Sequence, residues 1–312
     1  MSAADALTAF WQGAFGSADA VVSATLVRAT PLILAGLAVA LAFRAGVLNL
    51  GAEGQLLAGS AAAATVGVLL LPALGGATVV AALLAGALAG ALWAAVPALL
   101  RRRGVLEVIS TLMLNFVALY AVGYLVRGPL QEPTHAYPQS RTLEAGARLP
   151  LLVPGSRLHI GFALALALAA GLWWALRTTA AGFRVRAVGL NPAAARSAGL
   201  VDVDRVTGRV LLASGALAGL AGAVEVTGVT FALYDLSPGY GYTAVAVALL
   251  AGLDPLGVVA TGVLFGALEA GATAMQRDAG VPATVAGVVE AALVLLVLGV
   301  DARRRRTVEA GV

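Results

Sequence analysis

Long apolar runs separated by short polar or charged interruptions dominate this chain, at lengths suited to lipid rather than water. A bilayer core about 30 Å thick takes roughly 20 apolar residues in a helix. Eight runs approach or exceed that length: 21–43, 53–71, 77–100, 105–126, 160–176, 209–232, 256–275 and 281–300. A further run, YTAVAVALLAGL at 242–253, covers only about 18 Å at 1.5 Å per residue. It is closed by Asp254-Pro255, where proline's missing N–H ends a helix. Residues 1–20 set Phe10, Trp11 and Phe15 among small and acidic residues without a basic leader, which predicts an interfacial segment. The expected fold is all-α, a polytopic transmembrane helix bundle with about eight full spans plus one short or broken helix.

The arginines orient that bundle. With the tail Arg303–Arg306 in the cytoplasm and every segment crossing, including 242–253, the cytoplasmic side holds 14: Arg44, Arg101–Arg103, Arg177, Arg184, Arg186, Arg196, Arg205, Arg209 and the tail. The outside holds five, Arg127, Arg141, Arg148, Arg157 and Arg277, and Arg28 lies inside the first span. The transmembrane domain therefore runs over 21–302, with a proline-rich external loop at 127–159, a cytoplasmic loop at 177–208 and a basic cytoplasmic tail at 303–312. In the cytoplasmic loop Asn191 is a good N-cap, Pro192 fits the first helical position and Gly199 suits the position past the end. This predicts a two-turn helix at 192–198, placed either to dock on an acidic partner or to rest on anionic lipid.

Composition supports the membrane reading and removes most chemistry. The chain is 60% apolar and 12% charged, with a mean hydropathy of +0.93, against about 25% charge in soluble domains. There is no cysteine, so disulfides, thiolate catalysis and Cys-ligated metals are excluded. All 20 basic residues are arginine, so a Walker A loop with its lysine is excluded too. The two histidines, His135 and His159, match no metal motif. No enzyme, cofactor site or metal site is expected. The arginines flank apolar runs rather than form one basic face, which argues against nucleic acid. The 38 glycines suit helices that approach closely in lipid.

Three polar features stand out within the spans. The junction RAGVLNLGAEGQLLAGS (44–60) mixes Gly46, Gly51, Gly54 and Gly59 with Asn49, Glu53 and Gln55. It reads either as unwound backbone buried in protein or as a tight turn with Glu53 a first-turn acid. Glu107, Thr111 and Asn115 share one helix face by their spacing of four, and Glu225, Glu269 and Glu290 lie in other spans. Such groups face a bundle interior, lining a path or bonding neighbouring helices. Glu107 can equally sit at the membrane edge beside Arg101–Arg103. Phe231, Tyr234, Tyr240 and Tyr242 read first as an interfacial belt, as do Trp173 and Trp174. The break at 254–255 makes Tyr242 and Thr243 candidate lining residues.

FRAGVLNLGAEGQLLAGS (43–60) resembles a segment of the permease subunits of bacterial ABC importers for simple sugars and nucleosides, in a family that also moves branched-chain amino acids. EVISTLMLNFVALYAVGYLVRGP (107–129) is similar to a central span of that branch, GFRVRAVGLNPAAARSAGL (182–200) to its cytoplasmic loop, and GYTAVAVALLAGLDPLGVVATGVLFGAL (241–268) to its C-terminal signature. Longer members carry an extra span before the one at 21–43. The resemblance implies a permease in a bacterial inner membrane, paired with a second permease (identical or paralogous), cytoplasmic ABC ATPase subunits that use the ATP, and an external solute-binding protein. It gives Arg186, Asn191, Pro192, Ala194, Arg196 and Gly199 a coupling role against the ATPase. The substrate path is then expected at Asn49, Glu53, Gln55, Asn115, Glu225, Tyr242 and Thr243, for a nucleoside or simple sugar. The alternative is a proton-coupled secondary transporter using Glu53, Glu107, Glu225 or Glu290 as a relay.

Overall fold

A helix apolar on all sides belongs at the centre of a bundle, and the run after Leu26 takes that place. In the computed structural model, which describes residues 3–69, 75–199, 201–235, 237, 239–282, 284, 287–288, 291–292 and 295, the chain starts with α1 (Ala3–Ala14) and a π-helical turn, Ala20–Thr25. Then α2 (Leu26–Arg44) is buried at every position from Ala29 to Ala42. Next come α3 (Ala52–Leu69), α4 (Thr78–Arg101) and α5 (Glu107–Arg127), which pack on one another, and α6 (Gly161–Thr178), which packs on α2. Two short helices follow, α7 (Ala180–Leu190) and α8 (Pro192–Ser197). The chain returns through α9 (Val203–Val224), which continues as a π-helical turn Glu225–Thr230, then α10 (Tyr240–Leu250) and α11 (Pro255–Ala279).

Six helices among the described residues are long and apolar enough to cross a membrane: Ala20–Arg44, Thr78–Arg101, Glu107–Arg127, Gly161–Thr178, Val203–Thr230 and Pro255–Ala279. This is fewer than the eight full spans expected from hydropathy. The run expected at 53–71 is helix α3, whose 18 residues begin with Glu53 and Gln55 buried inside the bundle, so polar residues occupy its first turn. The run expected at 281–300, with Glu290, lies largely outside the described residues. The segment at 242–253 is short, as expected: α10 has 11 residues.

Helix packing is inverted relative to a soluble protein. On α4 the buried positions are Thr78, Ala82, Gly86, Gly90, Ala94 and Pro97. Val80, Leu84, Leu88, Leu92, Val96 and Leu99 point outward. Small residues inside let backbones touch, and large ones meet lipid. The contact is closest where Gly90 meets the Gly215 carbonyl and Gly219 of α9, and Gly219 also meets Gly59 of α3. A side chain at Gly90, Gly215 or Gly219 would fall on backbone atoms of the next helix.

The ends of the bundle divide the charges. At one end Arg44 donates to the Leu253 carbonyl (2.8 Å), Arg177 pairs with Asp254 (3.6 Å), Arg101 with Glu107 (3.8 Å), and Arg196 with Asp204 (3.2 Å). Gly189 of α7 lies against the Arg44 carbonyl, so both short helices belong to this arginine-rich end. At the other end the loop 128–160 covers the π-helical turn that continues α9: Leu149 N–H donates to the Thr227 carbonyl (2.9 Å) and Leu143 N–H to that of Phe231 (2.7 Å). There α1 packs along α11, with Gly13 against Ala274, and Thr25 Oγ1 donates to the Ala14 carbonyl (2.9 Å).

Candidate functional site

Two interruptions meet inside the bundle. The first is the stretch 45–51 between α2 and α3, which is not helical and is largely buried. Such backbone needs partners from elsewhere in the protein. Asn49 and Gln55 supply part of them by pairing amide to amide: Asn49 Nδ2 donates to Gln55 Oε1 (2.9 Å) and Gln55 Nε2 to Asn49 Oδ1 (3.0 Å). Asn49 Nδ2 also donates to Ser214 Oγ (2.9 Å), Ser214 Oγ to the Ala38 carbonyl (2.7 Å), and Gly51 N–H to Asn49 Oδ1 (3.0 Å). This network joins α2, α3 and α9 and is sealed from solvent, Asn49 and Ser214 being 0% exposed and Gln55 1%.

Asn115 of α5 completes the clamp. Its Nδ2 donates to the Leu50 carbonyl (2.9 Å), and its Oδ1 accepts from the Gly54 N–H (2.8 Å). The first turn of any helix leaves N–H groups without partners, and here a residue 61 positions away does what a local N-cap usually does. Gly54 permits the approach, because a Cβ there would stand 2.9 Å from Asn115 Oδ1.

The second interruption is the segment 231–239 that enters α10. It is anchored to the loop, where Ser140 N–H donates to the Leu233 carbonyl (2.8 Å) and Leu233 N–H to Ser140 Oγ (2.9 Å). It is latched to α5 by the Arg127–Asp235 ion pair. Phe231 turns the chain with a left-handed φ of 57°, and its ring lies 4.5 Å beneath the Arg148 guanidinium carbon. Glu53 closes the junction from α3. Its carboxylate accepts from Ser237 Oγ and from the Gly241 N–H (2.6 Å), so an acid of one helix start caps the start of another. The N-termini of α3 and α10 thereby converge on one buried carboxyl, a favourable arrangement for negative charge.

Next to this junction are two hollows that share Ser237 as a wall. An open groove of about 660 Å³ runs along α5 past Tyr120, Tyr124, Arg127 and Asp235. A smaller cavity, behind the segment, is lined by Glu225. Glu225 is 6% exposed and its Oε2 has no hydrogen-bond partner. Tyr242 is exposed and Thr243 half-buried on α10. The residues expected on a path are thus sorted. Glu53 and Glu225 lie beside the hollows, whereas the Asn49, Gln55 and Asn115 side chains are spent on one another and on backbone.

Other sequence expectations change in detail. Glu107 pairs with Arg101 at the arginine-rich end rather than joining Asn115 inside. Tyr240 is no belt residue: it is 8% exposed and shares a hydrogen bond with Glu269. Tyr120, Tyr124, Arg127 and Asp235 escaped sequence reasoning. The spacing of four puts both tyrosines on one face of α5, but their meeting with Asp235, more than a hundred positions on, has no local signal.

His159, just before α6, is fully buried with neither ring nitrogen partnered. It is wedged against Gly228 and Gly161, where a Cβ would stand 2.7 and 2.6 Å from ring nitrogens. Burial, helped by the positive charge of Arg157, lowers its pKa from 6.5 to about 4, so the ring is neutral at physiological pH.

At the arginine-rich end, Asn191 Oδ1 accepts from the Ala194 N–H (2.9 Å), with Pro192 at the first position and Gly199 at φ +67°. Helix α8 is held by Ala195, packed with Val188 and Val203. Ala194 and Arg196 are exposed, and Arg186 is half-buried on α7. Helix α7 itself was not foreseen within the arginine-dense loop. Its cap, Thr179, accepts from Gly182 N–H (3.0 Å).

The comparisons with known proteins fit this layout. The family model described as branched-chain amino acid transport system / permease component matches residues 21–298. The guanosine ABC transporter permease protein NupP of Bacillus subtilis is 40% identical over 95% of this chain and 86% of its own length. The glucose ABC transporter permease protein TsgB13 of Haloferax volcanii is 40% identical over 88% and 74%. The nucleoside ABC transporter permease protein NupB of Lactococcus lactis is 32% identical over 91% and 80%. No solved structure matches.

Proposed function

This chain belongs to that family of transport-system permease components and is a multi-pass ABC transporter permease, and from this premise we propose that it carries a nucleoside into the cell as one membrane subunit of an importer. Guanosine and nucleoside relatives carry the substrate class, and glucose, named for a third relative, is likewise a hydroxylated sugar. ATP is used by cytoplasmic ATPase subunits, a second permease completes the membrane pair, and an external binding protein delivers the solute. The arginine-rich end faces the cytoplasm with the tail 303–312, the loop 127–159 faces outward over an N-terminal interfacial segment, and about eight spans with the broken α10 fill the membrane domain.

The observation that carries the reading is the meeting of two helix starts on Glu53 beside two hollows. Broken helices of this kind border transport paths, and such a path needs only to satisfy polar groups in transit. Closure of the ATPase pair would reach α8 and shift the helix packing between two arrangements. A proton relay fits less well, because Glu53 is committed to Ser237 and Gly241, and Glu107 to Arg101.

Replacing exposed Ala194 with Glu tests the coupling role of α8. In cells producing the chain with its ATPase and binding protein, Ala194→Glu is expected to lower guanosine uptake at least tenfold. Membrane insertion should stay normal. Wild-type uptake by this variant would remove α8 from the mechanism.

A further inference from the structure

The cavity behind the segment 231–239 measures about 280 Å³ and is lined by Leu57, Ser60, Glu225, Thr230, Tyr234 and Ser237, among others. That volume is near the lower bound for small-molecule sites, roughly 300 Å³, and suits one ring rather than a ring pair. Its polar atoms have a common character. Ser60 Oγ donates its hydrogen to the Gly222 carbonyl (3.0 Å), Thr230 Oγ1 to the Ala232 carbonyl (3.0 Å), and Ser237 Oγ to Glu53. Each of these three hydroxyls has therefore spent its donor within the protein and keeps a lone pair to accept, although Ser237 Oγ already accepts from the Gly239 N–H (3.2 Å). Glu225 adds a carboxyl whose Oε2 has no partner although the side chain is 6% exposed, and a buried group left so needs explanation. Beside the Tyr234 hydroxyl, which can also donate, the wall offers acceptors at Ser60, Thr230, Ser237 and Glu225.

Resting on the importer reading above, we propose that this cavity is a binding site for the sugar ring of the solute, with Glu225 and Ser60 accepting from its hydroxyl groups. A sugar ring presents several O–H donors, no net charge and apolar C–H faces, which suits Leu57 and Tyr234. The cavity's accepting groups thus suit the hydroxylated sugar moiety, a ribose in guanosine and a hexose in glucose. Asp235 and Ser237, on the segment that separates cavity from groove, are its tether to α5 and α3, so the ring would enter beneath that segment.

The test is competition for labelled guanosine uptake in cells that carry the full chain with its ATPase and binding protein. Unlabelled guanosine competes against 2′,3′-dideoxyguanosine, which lacks the ring hydroxyls. The binding protein is the same throughout, so any change in preference between permease variants arises in the permease. Glu225→Gln and Ser60→Ala are each expected to reduce the preference for guanosine about tenfold, with melting temperatures in detergent near wild type; Ser60→Ala serves if Glu225→Gln fails to fold. Unchanged preference in the folded variants, with wild-type uptake intact, would overturn the sugar site and leave the importer standing. Absence of nucleoside and hexose uptake by the wild type would overturn the importer reading, and the sugar site with it.

Discussion

The two interruptions of the bundle are built in opposite ways. Around 45–51, Asn49, Gln55, Ser214 and Asn115 answer one another and the backbone within 3.0 Å, and none of these four side chains keeps a buried unpartnered atom. Around 231–239, Glu225 keeps an unpartnered oxygen, the walls are hollow, and the chain is tied down at its edges by Arg127–Asp235 and Glu53–Ser237. A buried network with every group satisfied is stiff and fixes geometry. One with spare acceptors next to space has capacity for a ligand. The first region is a frame and the second a working surface, although both break a helix and both carry Asn, Glu or Ser.

The largest effect is expected next to the frame, at the glycines that pack α9 against α4. Gly219→Leu puts a branched side chain onto the backbone of Gly86 and Gly90, a clash that repacking cannot absorb. Folded protein recovered from membranes is expected to fall more than tenfold. Asn115→Leu is milder. It leaves the Gly54 N–H and Leu50 carbonyl unpaired, at about 1–3 kcal/mol for each buried group, and should lower the melting temperature in detergent clearly. Glu225→Ala removes no hydrogen bond made by the side chain and should cost less stability than Asn115→Leu while harming uptake more. A reversed ranking would dissolve the distinction between frame and working surface.

A smaller effect concerns pH. His159 is wedged between Gly161 and Gly228, and its pKa is lowered from 6.5 to about 4. Between those values the unfolded chain binds a proton that the folded one refuses. Stability is therefore full above pH 6.5, falls as pH drops toward 4, and levels off below it. The loss by pH 5 is about 2 kcal/mol at 1.36 kcal/mol per pH unit. Melting curves at pH 7 and 5 should separate in wild type and draw together in His159→Leu.

What the sequence made legible was local. Asn191, Pro192 and Gly199 announce α8 within nine positions, Asp254-Pro255 announces the end of α10, and the Gly–polar mixture of 44–60 announces unwound backbone. Which polar residues would be spent on structure was not legible. Asn49 meets Ser214 from 165 positions away and Glu53 meets Gly241 from 188, so packing alone tells a satisfied Asn49 from an unsatisfied Glu225. The aromatic cluster misled for the same reason. Tyr240 lies among belt-like neighbours in sequence, but α10 starts inside the bundle and takes it to Glu269. Hydropathy marks α3 as a candidate span but averages over Glu53 and Gln55, whose burial is set by residues far along the chain.

The contrast between the two regions is tested most directly by single cysteines, since the chain has none of its own. In membranes of cells carrying the full transporter, Ser237→Cys should react with a membrane-impermeant thiol reagent from outside, and guanosine should slow that reaction. Ser214→Cys, inside the frame, should stay unreactive with or without guanosine. Equal labelling of the two positions, or labelling of position 237 that guanosine leaves unchanged, would contradict the assignment of a closed frame and a solute-facing surface.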